Sequence, residues 1–240
     1  MIELNRIYNE DCLEGMLKIP DKHVDLIVTD PPYKITARGN GGNSGGMFQK
    51  KEVNNGKVFK NNEIDIQDWI LELYRVLKDD SHCYIMTNNK NIGHYLNVIC
   101  ESPFHYVKNL IWVKDNKIMG QTYMSQFEYI IMCRKGKHKR INNCGTSDVL
   151  YYKNKKTKDS AGKTIHDTEK PVELMQILIE NSSVENDIVL DPFVGIGSTA
   201  IACINTNRNY IGFELDKQYC DIANERIESV TAVQMELKGV

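Results

Sequence analysis

The sequence predicts an α/β fold: a Rossmann-like, doubly wound mixed sheet with helices on both faces. Three observations predict it. Short apolar runs of strand character alternate with stretches of helical periodicity, the pattern of a largely parallel sheet. A glycine turn, Gly195-Ile196-Gly197, joins one such run to a helix start at Ser198-Thr199-Ala200. The chain has 240 residues, enough for one domain of this class with a full core and cramped for two, so residues 1–240 are read as a single domain.

Taken in order, Val24-Asp25-Leu26-Ile27-Val28-Thr29 is an apolar strand. Ile66, Trp69, Ile70, Leu73, Tyr74 and Leu77 keep the i, i+3, i+4 spacing of a helix, and His82–Thr87 follows as a strand. Val107–Lys114 and Phe127–Cys133 read as an antiparallel pair. Leu174, Met175, Leu178 and Ile179 mark a helix before the strand ending at Asp191, and Tyr219, Ile222, Ala223 and Ile227 mark one after the strand ending at Glu214. These stripes are core.

Two stretches stand outside that scheme. Residues 37–62 hold six glycines and six asparagines, too little apolar surface to order alone, and are read as a flexible loop that orders on the substrate as a lid, with a disordered insert as the alternative. From Arg134 to Lys170 eleven basic residues face four acids, with Tyr151 and Tyr152 interleaved. A basic, partly aromatic segment suits phosphate contact. The candidates are Arg134, Lys135, Lys137, Lys139, Arg140, Lys153, Lys155, Lys156 and Lys158.

Composition sets limits. A hydrophobic fraction of 41%, a charged fraction of 26% and a net charge of −2 are ordinary for a soluble protein. No apolar run approaches the roughly 20 residues of a membrane helix, and nothing before Arg6 resembles a signal peptide, so no membrane association and a cytoplasmic location are expected. Seven scattered cysteines without a Cys-x-x-Cys pair read as reduced thiols, and neither they nor the six histidines have metal-ligand spacing.

Chemistry concentrates in two motifs. Asp30-Pro31-Pro32-Tyr33 follows the first strand directly. Two prolines fix two backbone dihedrals and remove two N–H donors, leaving carbonyls with few local competitors. Asp30 adds a carboxylate acceptor and Tyr33 a flat face, together a pocket for an aromatic amine. The second motif, Asp191-Pro192-Phe193-Val194-Gly195-Ile196-Gly197-Ser198-Thr199-Ala200, is a strand, a glycine turn and a helix start that aims N–H groups at a ligand. With Glu214 ending the next strand, it also fits a dinucleotide fingerprint, so a nicotinamide- or flavin-dependent oxidoreductase is an alternative on this motif alone.

Together the two motifs resemble those of the S-adenosylmethionine-dependent DNA amino-methyltransferases. The catalytic motif comes first and the cofactor motif last, the permuted order of the branch called beta. Tyr8-Asn9-Glu10-Asp11-Cys12, Ile111-Trp112-Val113-Lys114, Phe127-Glu128-Tyr129-Ile130-Ile131 and Thr168-Glu169-Lys170-Pro171 are similar to further segments of that family. Asp167 departs from it, standing where the family usually has proline, and His166 is given no role.

The resemblance implies a class I methyltransferase fold with the strand ending at Asp191 beside the strand ending at Thr29, the antiparallel pair at the sheet edge, and residues 134–165 in the place of the family's target-recognition region as a short insert. It implies S-adenosylmethionine as cofactor, with Asp11 at its adenine, Glu214 at its ribose, Lys170 at its carboxylate, and Asp191, Phe193, Gly195, Gly197, Ser198 and Thr199 around it. Asp30, Pro31, Pro32 and Tyr33 form the catalytic motif, for N6 of a flipped-out adenine in DNA. Asp rather than Ser at position 30 leans towards adenine, with N4 of cytosine as the alternative. A binder without catalysis is a third reading. DNA is the expected partner, with a homodimer and a restriction endonuclease of the same system as further candidates.

Overall fold

The computed structural model describes residues 2–32, 64–118, 123–158, 162 and 169–238. Tyr33, the stretch 37–62, Lys163, His166 and Asp167 lie outside them. The described residues form one eight-stranded sheet of β1 (Arg6–Tyr8), β2 (Val24–Thr29), β3 (Leu77–Thr87), β4 (His105–Ile118), β5 (Ser125–Lys135), β6 (Val149–Tyr151), β7 (Ile188–Asp191) and β8 (Asn209–Phe213). Six helices accompany it: α1 (Cys12–Met16), α2 (Ile66–Val76), α3 (Ile92–Glu101), α4 (Val172–Ser182), α5 (Ser198–Asn205) and α6 (Lys217–Lys238).

Strand order is β1-β8-β7-β2-β3-β5-β4-β6. Only β5 runs against the others, pairing antiparallel with both β3 and β4. The order reverses between β7 and β2, whose Leu26 and Ile27 pair in parallel with Val189 and Leu190. The expected neighbours are therefore neighbours, and the crevice beyond their carboxyl ends is where such sheets take ligands. The antiparallel pair is present, but β6 adds parallel to β4 and becomes the edge itself. Three residues, Val149–Tyr151, inside a polar stretch gave no periodicity from which to read it.

Both faces carry a core. One packs Trp69, Leu73 and Val76 of α2 and Ile99 of α3 on Ile27, Ile85 and Ile131. The other packs Leu174, Met175 and Leu178 of α4 and Ala200 of α5 on Leu26, Val28 and Tyr84. Alternate residues of β2 thus serve opposite faces, as strand pleating requires. Helix α2 starts in a capping box between Asp65 and Asp68, which satisfies two orphan N–H groups. Among the described residues no helix is long and apolar enough to cross a membrane.

Candidate active site

Asp191 organises the crevice. Its Oδ1 accepts from Thr29 Oγ1 at 2.8 Å and from the Phe193 N–H at 3.1 Å, while Oδ2 accepts from Thr199 Oγ1 at 2.6 Å. Burial pushes its carboxyl up to about 6 against the pull of these donors. One buried carboxylate thus joins the end of β2, the glycine turn and the first turn of α5. The side chains of Asp191 and Thr199, expected around the cofactor, bind each other and shape the turn.

The turn needs its glycines where backbone and space demand them. Gly197 has φ +87° and caps α5, and a Cβ there would stand 3.2 Å from the Ala223 Cβ. Gly195 has φ +54°. Such angles are ordinary for glycine and strained for other residues. The Val194 N–H donates to the Phe213 carbonyl at 3.0 Å, tying the turn to β8. Ser198 is buried at the start of α5, and Phe193 packs edge-on against Trp69, ring centres 5.6 Å apart.

Glu214 and Asp11 lie at the carboxyl ends of β8 and β1, brought together because those strands pair in parallel. The Glu214 N–H donates to the Tyr8 carbonyl at 3.0 Å, and Asn9 Nδ2 donates to the Glu214 carbonyl at 2.9 Å. Burial raises the Glu214 carboxyl, opposed by the N–H groups of Asp216 and Gly195, so this carboxylate faces the glycine turn. Asp11 spends Oδ1 on the Leu13 N–H, capping α1. A turn permissive to close approach with two carboxylates across from it fits a nucleoside with hydroxyl and amine donors. Glu214→Ala should weaken S-adenosylmethionine binding roughly 10- to 150-fold, the loss of charge-assisted hydrogen bonds worth about 1.5–3 kcal/mol. Calorimetry giving an unchanged dissociation constant would remove Glu214 from the cofactor set.

Asp30 stands beyond the carboxyl end of β2. Lys170 Nζ donates to its Oδ2 and also lies 3.5 Å from Glu128 Oε2. Asp30 Oδ1 is buried without a hydrogen-bond partner among the described residues. Burial raises the Asp30 carboxyl, and Lys170 only partly restores it. Glu128 differs: burial pushes its carboxyl up, but Lys170 and Lys114 overcome this and hold it below the usual range. Glu128 has two ion-pair partners, Lys114 and Lys170, whereas Asp30 has the ammonium of Lys170 alone among the described residues. Lys170, expected at a cofactor carboxylate, stands here between two protein carboxylates.

The expected DNA-contact residues divide. Arg134 and Lys135 pair with His82 and Ser81, at the amino end of β3. That end lies about 20 Å from Thr87 at 3.3 Å per residue. Lys137, Lys139 and Arg140 continue from it. Lys135 is buried, its Nζ donating to the Tyr74 and Leu77 carbonyls at 2.6 and 2.7 Å. These five expected DNA contacts lie towards the sheet end opposite Asp30. Lys153, Lys155 and Lys158 are exposed and follow β6, whose Tyr151 pairs with Val113 at the site end. Lys156 turns inward and donates to the Glu169 carbonyl at 2.6 Å. Burial, then Lys170 and Lys114, lower it to about 8.

The sequence reading assigned no site role to Lys114, Glu128, Glu169, Arg226 or Tyr95. Glu169 accepts from the Thr157 N–H at 2.6 Å and from Arg226 at 2.8 Å, while Arg226 also donates to the Ile196 carbonyl, joining α6 to the glycine turn. Tyr95 of α3 feels the Asp30 charge, and burial raises its hydroxyl far above the ordinary value. The available signal was a lysine closing Ile111-Trp112-Val113 and a glutamate set among Phe127, Tyr129, Ile130 and Ile131, charges where strand periodicity calls for apolar residues.

Fold and site together are those of an S-adenosylmethionine-dependent DNA methyltransferase. Residues 24–225 match the N6/N4 DNA methylase family, and the chain belongs to that family. It is 30% identical to the type II methyltransferase M2.MboI of Moraxella bovis over 95% of this chain and 89% of that one. It is 29% identical to the type II methyltransferase M.HinfI of Haemophilus influenzae over 95% of this chain and 69% of that one. Among solved structures, the complex of M1.HpyAVI with S-adenosylmethionine aligns with TM-score 0.67 and 26% identity, over 92% of this chain and 98% of that one. The PvuII cytosine-N4-specific DNA methyltransferase aligns with TM-score 0.70 at 16% identity, over 98% and 93%, a likeness of fold alone.

Proposed function

We propose that this chain transfers a methyl group from S-adenosylmethionine to N6 of adenine in DNA, on a base flipped out of the duplex. The observation that carries the reading is Asp30: a buried carboxylate at the switch point, one oxygen held by Lys170 and the other without a partner among the described residues. Leaving a buried acceptor unpaired costs about 1–3 kcal/mol, and a ligand that donates to it recovers that cost. An exocyclic amine brings two N–H donors.

The amine nitrogen is a poor nucleophile because its lone pair is delocalised into the ring. Asp30 Oδ1 and a carbonyl of Pro31-Pro32, each accepting one amine proton, favour a tetrahedral nitrogen and free the lone pair. Bound S-adenosylmethionine supplies an electrophilic methyl group on sulfur. Glu214 and Asp11 accept from its ribose and adenine, the turn at Gly195 and Gly197 lets it approach, and Phe193 packs beside it. Held positions and a fixed acceptor supply the rate. After transfer the nitrogen sheds a proton, and Asp30 is the acceptor in reach. Extrusion of the base gives access to an amine that is paired in the duplex, with Tyr33 to stack on it. The aspartate at position 30, through the family resemblance, favours adenine over N4 of cytosine. Sequencing that reports modified bases, on DNA from cells expressing the chain, should show N6-methyladenine in a short motif; its absence contradicts the reading.

Lys153, Lys155 and Lys158 are the proposed phosphate contacts. Replacing all three with glutamine should weaken binding to every DNA sequence and lower the slope of log K against log salt by roughly two to three units, about 0.9 per phosphate lost. The methylated motif should not change, because phosphate contacts position without reading sequence. An unchanged slope would show that these lysines are solvated surface.

A further inference from the structure

Asp30 does not stand alone with Lys170. Lys170 reaches Asp30 Oδ2 on one side and Glu128 Oε2 on the other, and Lys114 Nζ donates to Glu128 Oε1 while lying 4.8 Å from the Trp112 ring centre. The four side chains come from four places in the fold: the end of β2, the segment before α4, β5 and β4. The two lysine side chains are only 5% and 6% exposed and the two carboxylates are partly buried, and the chain of charge alternates in sign.

Such an arrangement is not what stability alone selects. Packed apolar residues of similar volume often serve a core as well as a buried ion pair or better. We propose that Glu128 and Lys114 are positioning residues for methyl transfer: Glu128 divides the Lys170 ammonium with Asp30, Lys114 limits how strongly it does so, and the pair sets how freely Asp30 meets the substrate amine. Without Glu128, Asp30 holds a larger share of the Lys170 ammonium. Without Lys114, Glu128 draws Lys170 away and Asp30 loses its counter-ion. The inference rests on the reading of Asp30 as acceptor of the amine protons.

The groups that act on Asp30 from the elements around it give the sign of the test. Lys170 and Lys114 lower its proton affinity and Glu128 raises it. Tyr95 of α3 and Asp191 of β7 also face it, and Lys156 faces Lys170, Lys114 and Glu128. Asp30 must be ionised to accept, so activity falls on the acid side as it takes up a proton. Removing the Glu128 charge moves that acid limb to lower pH, and removing the Lys114 charge moves it to higher pH.

The experiment is the single-turnover methylation rate against pH for the full chain with DNA and S-adenosylmethionine. Glu128→Gln should shift the acid limb down and Lys114→Met should shift it up, each by roughly half a pH unit or more. Both should lose about tenfold in plateau rate, with calorimetric S-adenosylmethionine affinity close to wild type. Glu128→Asp, which keeps the charge, should return the limb towards its wild-type position. A merely structural role lowers rate and melting temperature together and does not drive the two limbs in opposite directions. If one variant does not fold, the other carries the test by the direction of its own shift. Limbs that stay in place or move the same way overturn the inference, as does a limb that disappears in Asp191→Asn and so belongs to Asp191. Asp30→Ala, which removes both carboxylate oxygens, separates the two readings: if it keeps activity, Asp30 is not the acceptor; if it is inactive while the limbs of the Glu128 and Lys114 variants do not move, only the role of Glu128 and Lys114 fails.

Discussion

Asp30→Ala should reduce methyl transfer by at least about 10³-fold while S-adenosylmethionine affinity stays within a few-fold of wild type; removing one preorganised group that stabilises developing charge costs about 10²–10³ by itself. Asp30 is also the group placed to accept the departing proton, which puts the expectation at the upper end. The fold should survive, because Lys170 keeps Glu128 as its partner when Asp30 is gone. Cofactor affinity should survive because Glu214, Asp11 and the glycine turn lie on β8, β1 and the β7–α5 connection. Purified variant, radiolabelled methyl transfer and calorimetry decide it. Activity within tenfold of wild type would remove Asp30 from the chemistry.

The second large effect is expected at Asp191, and it is one of stability as much as activity. Asp191→Ala leaves Thr29 Oγ1, Thr199 Oγ1 and the Phe193 N–H without their buried acceptor. Hydrogen bonds to a charged group contribute roughly 1.5–3 kcal/mol each, partly offset here by relief of a buried charge, so a net loss of about 3 kcal/mol is expected. For a chain of this size that lowers the melting temperature by about 6–12 °C. The turn loses its anchor to β2 and α5, so S-adenosylmethionine affinity should fall with it. Thermal unfolding with and without S-adenosylmethionine is the measurement. A variant that melts like wild type would mean that the turn is held by other contacts, with Asp191 free to serve the cofactor directly.

Both motifs were legible in the sequence because each is local. A strand, two prolines and a carboxylate in consecutive positions specify an acceptor site without knowledge of the fold, and Gly195 and Gly197 declare a turn. The meeting of Thr29 and Asp191, 162 residues apart, followed from the resemblance and from the rule that ligands gather where strand order reverses. What the sequence did not disclose is what depends on long-range pairing. Lys114 and Glu128 become site residues only because β4 and β5 pair and bring them towards Lys170. Charge density carries no direction: β5 delivers Arg134 to Arg140 to the far end of the sheet, and β6 returns Lys153 to Lys158 to the near one. Helix α1, five residues from Cys12 to Met16, is too short to show a period, and its cap, Asp11, was read for its place in a resembling segment.

The most direct test of the central claim is mass spectrometry of nucleosides from unmethylated DNA incubated with the purified chain and S-adenosylmethionine carrying a deuterated methyl group. The account predicts deuteriomethyl label in N6-methyl-2′-deoxyadenosine, absent with Asp30→Ala. Label in N4-methyl-2′-deoxycytidine would contradict the adenine assignment while leaving the amine chemistry of Asp30 intact, and label in neither nucleoside would contradict the account itself.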